Sequence, residues 1–224
     1  MIYQTFTSYE ELLQGEEIPL AVGNGIPEKE NVSDNNNQPE QFITPMKALE
    51  GKKIAMVIAF NDFRDEEYFK PRQIFEAAGA DVKTVSNEKG KALGADGGEV
   101  DVDLLVSEVN PAELDAVVFI GGPGALQYLD NEISYKLIRD TISERKTLAS
   151  ICISPVILAK AGALNGKKAT VWTSSMDKSA VKILEDNGAI YQNEPVVTDG
   201  IIITAVGPTA AEQFGMKVVE VLVK

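Results

Sequence analysis

The stretch TLASICISPVILAKAG, Thr147 to Gly162, changes periodicity in its middle. Thr147–Ile151 is a short, nearly apolar run of the kind found in a strand buried on both faces. The residues from Ser154 onward read as a helix, with Pro155 in the first turn, where a missing N–H costs nothing. Cys152 stands at the junction and is the only cysteine in the chain. A thiol on a sharp strand-to-helix turn is presented to the crevice beyond the sheet. The unpaired N–H groups of the following helix are predicted to lower its pKa. In geometry, though not in sequence, this is the nucleophile elbow of hydrolases. The competing reading is an inert buried cysteine.

Outward from this turn the same alternation repeats. Lys52–Phe60 (KKIAMVIAF), Asp81–Ser86 (DVKTVS), Leu114–Gly122 (LDAVVFIGG), Lys168–Trp172 (KATVW) and Gly200–Gly207 (GIIITAVG) read as strands. Between them lie helical patterns: EEYFKPRQIFEAAGA with Gly79 at its end, NEISYKLIRDTISERK, Met176–Asn187, and a last helix from about Pro208 to Val223. Lys91–Asp103 reads as a hairpin turned by glycines. Strand alternating with helix predicts an α/β fold, a doubly wound and mainly parallel sheet sandwiched by helices, flavodoxin-like. The domain spans residues 51–224. Residues 1–50 form an N-terminal extension, partly flexible: Ser8 and Glu11 make a capping-box pattern ahead of Leu12 and Leu13, and residues 22–42 are too poor in apolar groups to offset the entropy of ordering.

The 224 residues are 44% hydrophobic and 25% charged, with a formal net charge of -13. Such an acidic surface gains nothing from nucleic acid or an anionic membrane. A single cysteine allows neither an internal disulfide nor a cysteine-rich zinc site. No stretch reaches the roughly 20 apolar residues of a membrane span, and the start lacks the regions of a signal peptide. A cytoplasmic protein without cofactor or metal is the expectation. GGPGALQ is no dinucleotide fingerprint, because Gln127 stands where the third glycine belongs. The carboxylates of DVDLLVSEVNPAELD lack the spacing of a calcium loop.

Four motifs in order, DEEYFKP after the first strand, GGPGA, ICISP, and GPTAAEQFG before the final helix, resemble the ThiJ/PfpI family. That family includes the parkinsonism-associated deglycase and the PfpI-type proteases, and it is related to class I glutamine amidotransferases. The resemblance covers residues 51–224. It implies that Cys152 is the nucleophilic or oxidisable cysteine, and that Glu67 (with Glu66 as its adjacent rival) is the glutamate contacting it. It also implies that the backbone N–H groups of Gly122 and Ile153 form an oxyanion hole. Glu67 is expected buried and protonated, donating a hydrogen bond to the sulfur. Gly121 and Trp172 are expected in the pocket wall, and a homodimer is implied.

The departure from the family pattern concerns histidine. PfpI-type members carry one directly after the cysteine, where this chain has Ile153. The deglycase type carries one where this chain has Trp172. With no histidine anywhere, no Cys-His pair can form, even across identical subunits. Cysteine hydrolases need that base and acid, so proteolysis is disfavoured. Two readings follow: a cysteine-based redox or stress-response protein whose thiol meets peroxide, or a glyoxalase- or deglycase-like enzyme acting on a small electrophilic carbonyl.

Overall fold

The computed structural model describes residues 48–224. The capping-box helix and the linker of the N-terminal extension lie outside the described residues.

The chain opens with β1 (Lys53–Ile58), whose residues Ile54 to Ile58 are all buried, and a short β2 (Asn61–Phe63). Helix α1 (Asp65–Ala77) follows, with Asp65, Glu66 and Glu67 in its first turn, where carboxylates complement the helix dipole. It ends at Gly79, which takes the left-handed conformation (φ 96°) predicted for that glycine. Next come β3 (Asp81–Ser86), the antiparallel hairpin β4 (Lys91–Gly94) and β5 (Glu99–Asp101), and a two-residue β6 (Leu104–Leu105).

After β7 (Ala116–Phe119) there is a single turn α2 (Ala125–Tyr128), then α3 (Glu132–Ser143). The side chain of Asn131 caps α3 by accepting from the N–H groups of Ile133 and Ser134. Leu137 and Ile138 of α3 are buried as their spacing requires, whereas Ile133, one turn earlier, is exposed. β8 (Thr147–Ile151) leads through Cys152 into α4 (Pro155–Lys160). The remaining elements are β9 (Lys168–Ala169), α5 (Ser179–Asp186), β10 (Ile190–Tyr191), β11 (Val196–Asp199), β12 (Ile202–Ala205) and α6 (Ala211–Leu222).

Seven strands form one sheet in the order β11-β12-β8-β7-β1-β3-β6, parallel except for β11 against β12. Helices α1 and α6 pack on each other over one face, and α3, α4 and α5 cover the other. This is the flavodoxin-like α/β sandwich predicted by the alternation. The central strands β1, β7 and β8 are buried on both faces, so they are mostly apolar rather than alternating, with Thr147 and Ser150 the buried polar exceptions.

Two boundaries differ from expectation. KATVW supplies only the two-residue β9, which pairs with β10 outside the main sheet. Beyond it the backbone bonds to single groups instead of a ladder: the Thr170 N–H donates to Thr204 Oγ1 (2.8 Å), and the Trp172 N–H to the Cys152 carbonyl (2.8 Å). The helix expected from Met176 starts at Ser179. Ser174 Oγ accepts from the N–H groups of Met176 and Asp177, and Asp177 Oδ1 accepts from the Ser179 N–H, which holds residues 174–178 in a turn. Among the described residues no helix is long and apolar enough to cross a membrane.

Candidate functional site

Three chain segments converge beyond the carboxyl ends of β1, β7 and β8. Cys152 follows β8 with φ 64°, in the left-handed region that a side chain with a Cβ rarely adopts. Holding it there costs about 1–2 kcal/mol, so the surroundings must impose it. They do so on both sides of the residue. The Cys152 N–H donates to the Ala205 carbonyl (2.9 Å), and its carbonyl accepts from Trp172. Ser154, fully buried, donates its hydroxyl to the Ile120 carbonyl (2.7 Å) and so pins the turn to the end of the neighbouring strand. The turn between β8 and α4 thus holds Cys152 in a left-handed backbone conformation.

The β7 turn supplies the second wall. A Cβ on Gly121 would come within 2.5 Å of Cys152 Cβ and 2.7 Å of Glu67 Oε2, so only glycine admits both groups at this distance. Gly122 has φ 110°. Its N–H and that of Ile153 lie near enough to the Cys152 sulfur to favour its ionised form. The turn also ties itself to the third segment, because the Gly121 carbonyl accepts from the Arg64 N–H (3.1 Å) at the start of α1.

From α1 comes Glu67, fully buried. Its Oε2 accepts from the Gly121 N–H (3.1 Å), and the carboxyl is a hydrogen-bonding neighbour of the Cys152 thiol. Oε1 is buried without a hydrogen bond of ordinary geometry. The rival, Glu66, points outward and pairs with Lys70. Burial pushes the Glu67 carboxyl up to about 7, against the smaller lowering effects of its hydrogen bonds and of Arg64. It is protonated in acid and releases its proton near neutrality, so the protonated resting acid expected from the sequence holds below that pH.

The prediction for the thiol needs correcting. Burial, and after it the Glu67 carboxylate, push Cys152 up to about 12. The Gly122 and Ile153 amides do pull the other way, but two N–H dipoles do not outweigh desolvation plus an adjacent negative charge. Cys152 is only half-buried, yet desolvation and the neighbouring carboxylate together still outweigh the amides.

Trp172 is 39% exposed and stands at the edge of the same space. Gly207, the first residue of the GPTAAEQFG motif, completes it. A Cβ there would lie 3.7 Å from Glu67 Oε1, 3.7 Å from Trp172 Cδ1 and 4.0 Å from Cys152 Cβ. The available signal was a glycine directly after a buried strand, at the sheet edge where ligands bind. All the predicted site residues, Cys152, Glu67, Gly121, Gly122, Ile153 and Trp172, thus lie together. A separate groove of about 510 Å³, lined by Phe69, Arg72, Gln73, Glu76, Val100, Asp101 and Asp103, shares none of them. Among the described residues no cluster of histidine, cysteine or carboxylates is placed to hold a metal ion.

Such a site can form a thiolate by internal proton transfer to Glu67 and hold developing negative charge on two amides. Known proteins share this framework. The model of the DJ-1/PfpI family matches residues 52–221. An uncharacterized protein of Methanocaldococcus jannaschii is 41% identical over 177 residues, 79% of this chain and 85% of that protein. General stress protein 18 of Bacillus subtilis is 31% identical, over 66% of this chain and 88% of its own. The crystal structure of a ThiJ/PfpI domain protein from Brachyspira murdochii superposes with a TM-score of 0.71 at 38% identity, covering 76% of this chain and 95% of that one. With a buried glutamate against a cysteine on a left-handed elbow, and with a family model spanning nearly the whole described region, the chain belongs to the DJ-1/PfpI family.

Proposed function

We propose that this protein is a cysteine-based redox protein of the stress response, in which Cys152 reacts with peroxide and Glu67 carries the proton. The observation behind the reading is the Glu67 carboxyl, raised by burial to about 7 beside the only thiol. A pKa near the working pH is what acid–base catalysis needs, and histidine ordinarily supplies it. In a chain without histidine, a desolvated carboxyl takes that place. The ionised Glu67 accepts the thiol proton. Its own charge, one cause of the raised thiol pKa, is thereby removed, and the Gly122 and Ile153 amides face the new thiolate. The stress protein of B. subtilis is a relative in keeping with this role. The working unit in this reading is a cytoplasmic homodimer, the assembly the family resemblance implies.

The chemistry balances with peroxide as the oxidant. The thiolate attacks one peroxide oxygen, the O–O bond breaks, and the leaving hydroxide takes the proton from Glu67 to become water. Sulfur is oxidised to sulfenic acid, and a second equivalent carries it to sulfinate. Intact-mass measurement of wild type and C152A under graded peroxide tests this. The expected result is a gain of two oxygens that requires Cys152, at a rate rising with pH through about 7 as Glu67 ionises. A thiol that survives excess oxidant would refute the reading. Cysteine-dependent loss of methylglyoxal in the same preparation would instead favour the small-carbonyl enzyme.

A further inference from the structure

Arg64 and Asp65, just ahead of the Glu66–Glu67 pair, both grip the tip of the β4–β5 hairpin. The Asp65 carboxylate accepts from the N–H groups of Asp96 (2.8 Å) and Gly98 (2.5 Å). Gly94 and Gly98 leave room for it, since a Cβ on either would run into that carboxylate. The Arg64 guanidinium donates through Nη1 to both Asp96 oxygens (3.2 and 3.1 Å). The hairpin tip thus fixes the far end of the Arg64 side chain. Its backbone is fixed at the site: the Arg64 N–H donates to the Gly121 carbonyl (3.1 Å), while the N–H of the same glycine donates to Glu67 Oε2 (3.1 Å). Arg64, at the N-cap of α1, and Glu67 are therefore one helical turn apart and bonded to the two polar groups of one glycine.

Burial is what raises the proton affinity of Glu67, and the Arg64 charge is among the effects opposing it. The ionisable groups acting on this carboxyl are Cys152 from the β8 turn, and Arg64 and Glu66 from its own helix. Glu66 is turned outward onto Lys70, and Glu212 of α6, the helix packed on α1, also acts on Lys70. We propose that Arg64 is a positioning residue for the Cys152 site. The hairpin tip clamps its guanidinium where the charge favours ionised Glu67, the form that takes the thiol proton. This rests on the reading of Glu67 as proton acceptor given above, and not on the identity of the oxidant.

The test follows alkylation of Cys152 in the full chain by excess iodoacetamide across neutral pH, read by intact mass. Wild type is expected to react faster as Glu67 ionises, with a midpoint at about 7. Arg64→Gln should move that midpoint up and lower the rate on its acid side by about two- to threefold, the weight of a partly solvated charge one turn away. Arg64→Lys keeps the charge and should keep the midpoint. Gly98→Ala alters no charge but drives a methyl into the Asp65 carboxylate, so it should loosen the tip and move the midpoint the same way. Added to Arg64→Gln, it should move it no further, because both act through one group. An unmoved midpoint in Arg64→Gln, an equal shift in Arg64→Lys, or full additivity with Gly98→Ala overturns this inference and leaves Glu67 as the proton acceptor. A wild-type rate without an inflection at about 7 overturns both.

Discussion

The two sides of helix α1 carry the same chemistry to opposite ends. On the outer side Glu66 meets Lys70 and Arg72 Nε meets Glu76 (2.8 Å), each pair one turn apart and half-exposed. On the inner side Glu67 is completely buried, with one oxygen on the Gly121 N–H and the other without a partner. Neighbours in sequence, Glu66 and Glu67 differ in everything that decides reactivity. The outer carboxylates are solvated and paired, so solvent screening leaves each pair little weight in stability. The inner one is held against its solvation preference, and its proton affinity rises to suit proton transfer. The comparison teaches that a stability cost on one face of a helix marks the site, while the ion pairs on the other merely dress it.

The contrast breaks most sharply in reactivity. Replacing Glu67 by glutamine keeps an oxygen for the Gly121 N–H but removes the proton acceptor. The rate of Cys152 oxidation at pH 7.5 should then fall by about 10²-fold or more, the usual weight of an acid–base group. Glu66→Gln should leave it within about twofold, since a solvated charge outside the site is well screened. Peroxide kinetics on both variants decide the matter, and equal effects would erase the distinction between the two faces.

Stability against pH sharpens the same contrast. The folded Glu67 pKa lies above its unfolded value near 4.5, so between those pH values the native state binds more protons than the unfolded state. Stability attributable to this group is therefore present below about 4.5 and is lost as pH rises through about 7. Glu67→Gln should be more stable than wild type at pH 8, by on the order of 2–3 kcal/mol, and should lose that advantage in acid. Urea denaturation of both proteins at pH 4 and pH 8 measures it. The smallest effect belongs to the outer face. Lys70→Ala should lower the melting temperature barely detectably, by an amount that vanishes with salt, and leave the Cys152 rate untouched. Thermal melts at low and high ionic strength provide that comparison.

Much of the sheet was legible because central parallel strands are predominantly apolar on both faces, as Ile54–Ile58 is throughout and Thr147–Ile151 is apart from Thr147 and Ser150. The strand-to-helix turn was legible because one apolar run hands over to a helix around Cys152. Helix and strand ends at 168–178 were not. There the backbone is satisfied by Thr204, Ser174, Asp177 and the Cys152 carbonyl, partners distant in sequence or chosen by local side-chain competition. Gly207 carries no local sequence signal for a related reason. Its importance lies in what stands opposite its α-carbon, which no local pattern encodes.

The thiol pKa shows where reading by motif misleads. A cysteine before a helix looks activated when only the amide dipoles are considered, whereas burial and Glu67 reverse the direction. The sequence alone determined the α/β architecture, the placement of the single thiol at a strand-to-helix turn and the lack of any histidine to serve it, since periodicity and residue inventory are local quantities. Only the tertiary structure decided which of two adjacent glutamates faces the sulfur, how far each group is removed from water, and which glycine leaves room beside them. Desolvation and contact depend on residues more than fifty positions apart being folded together, as Glu67 and Gly121 are.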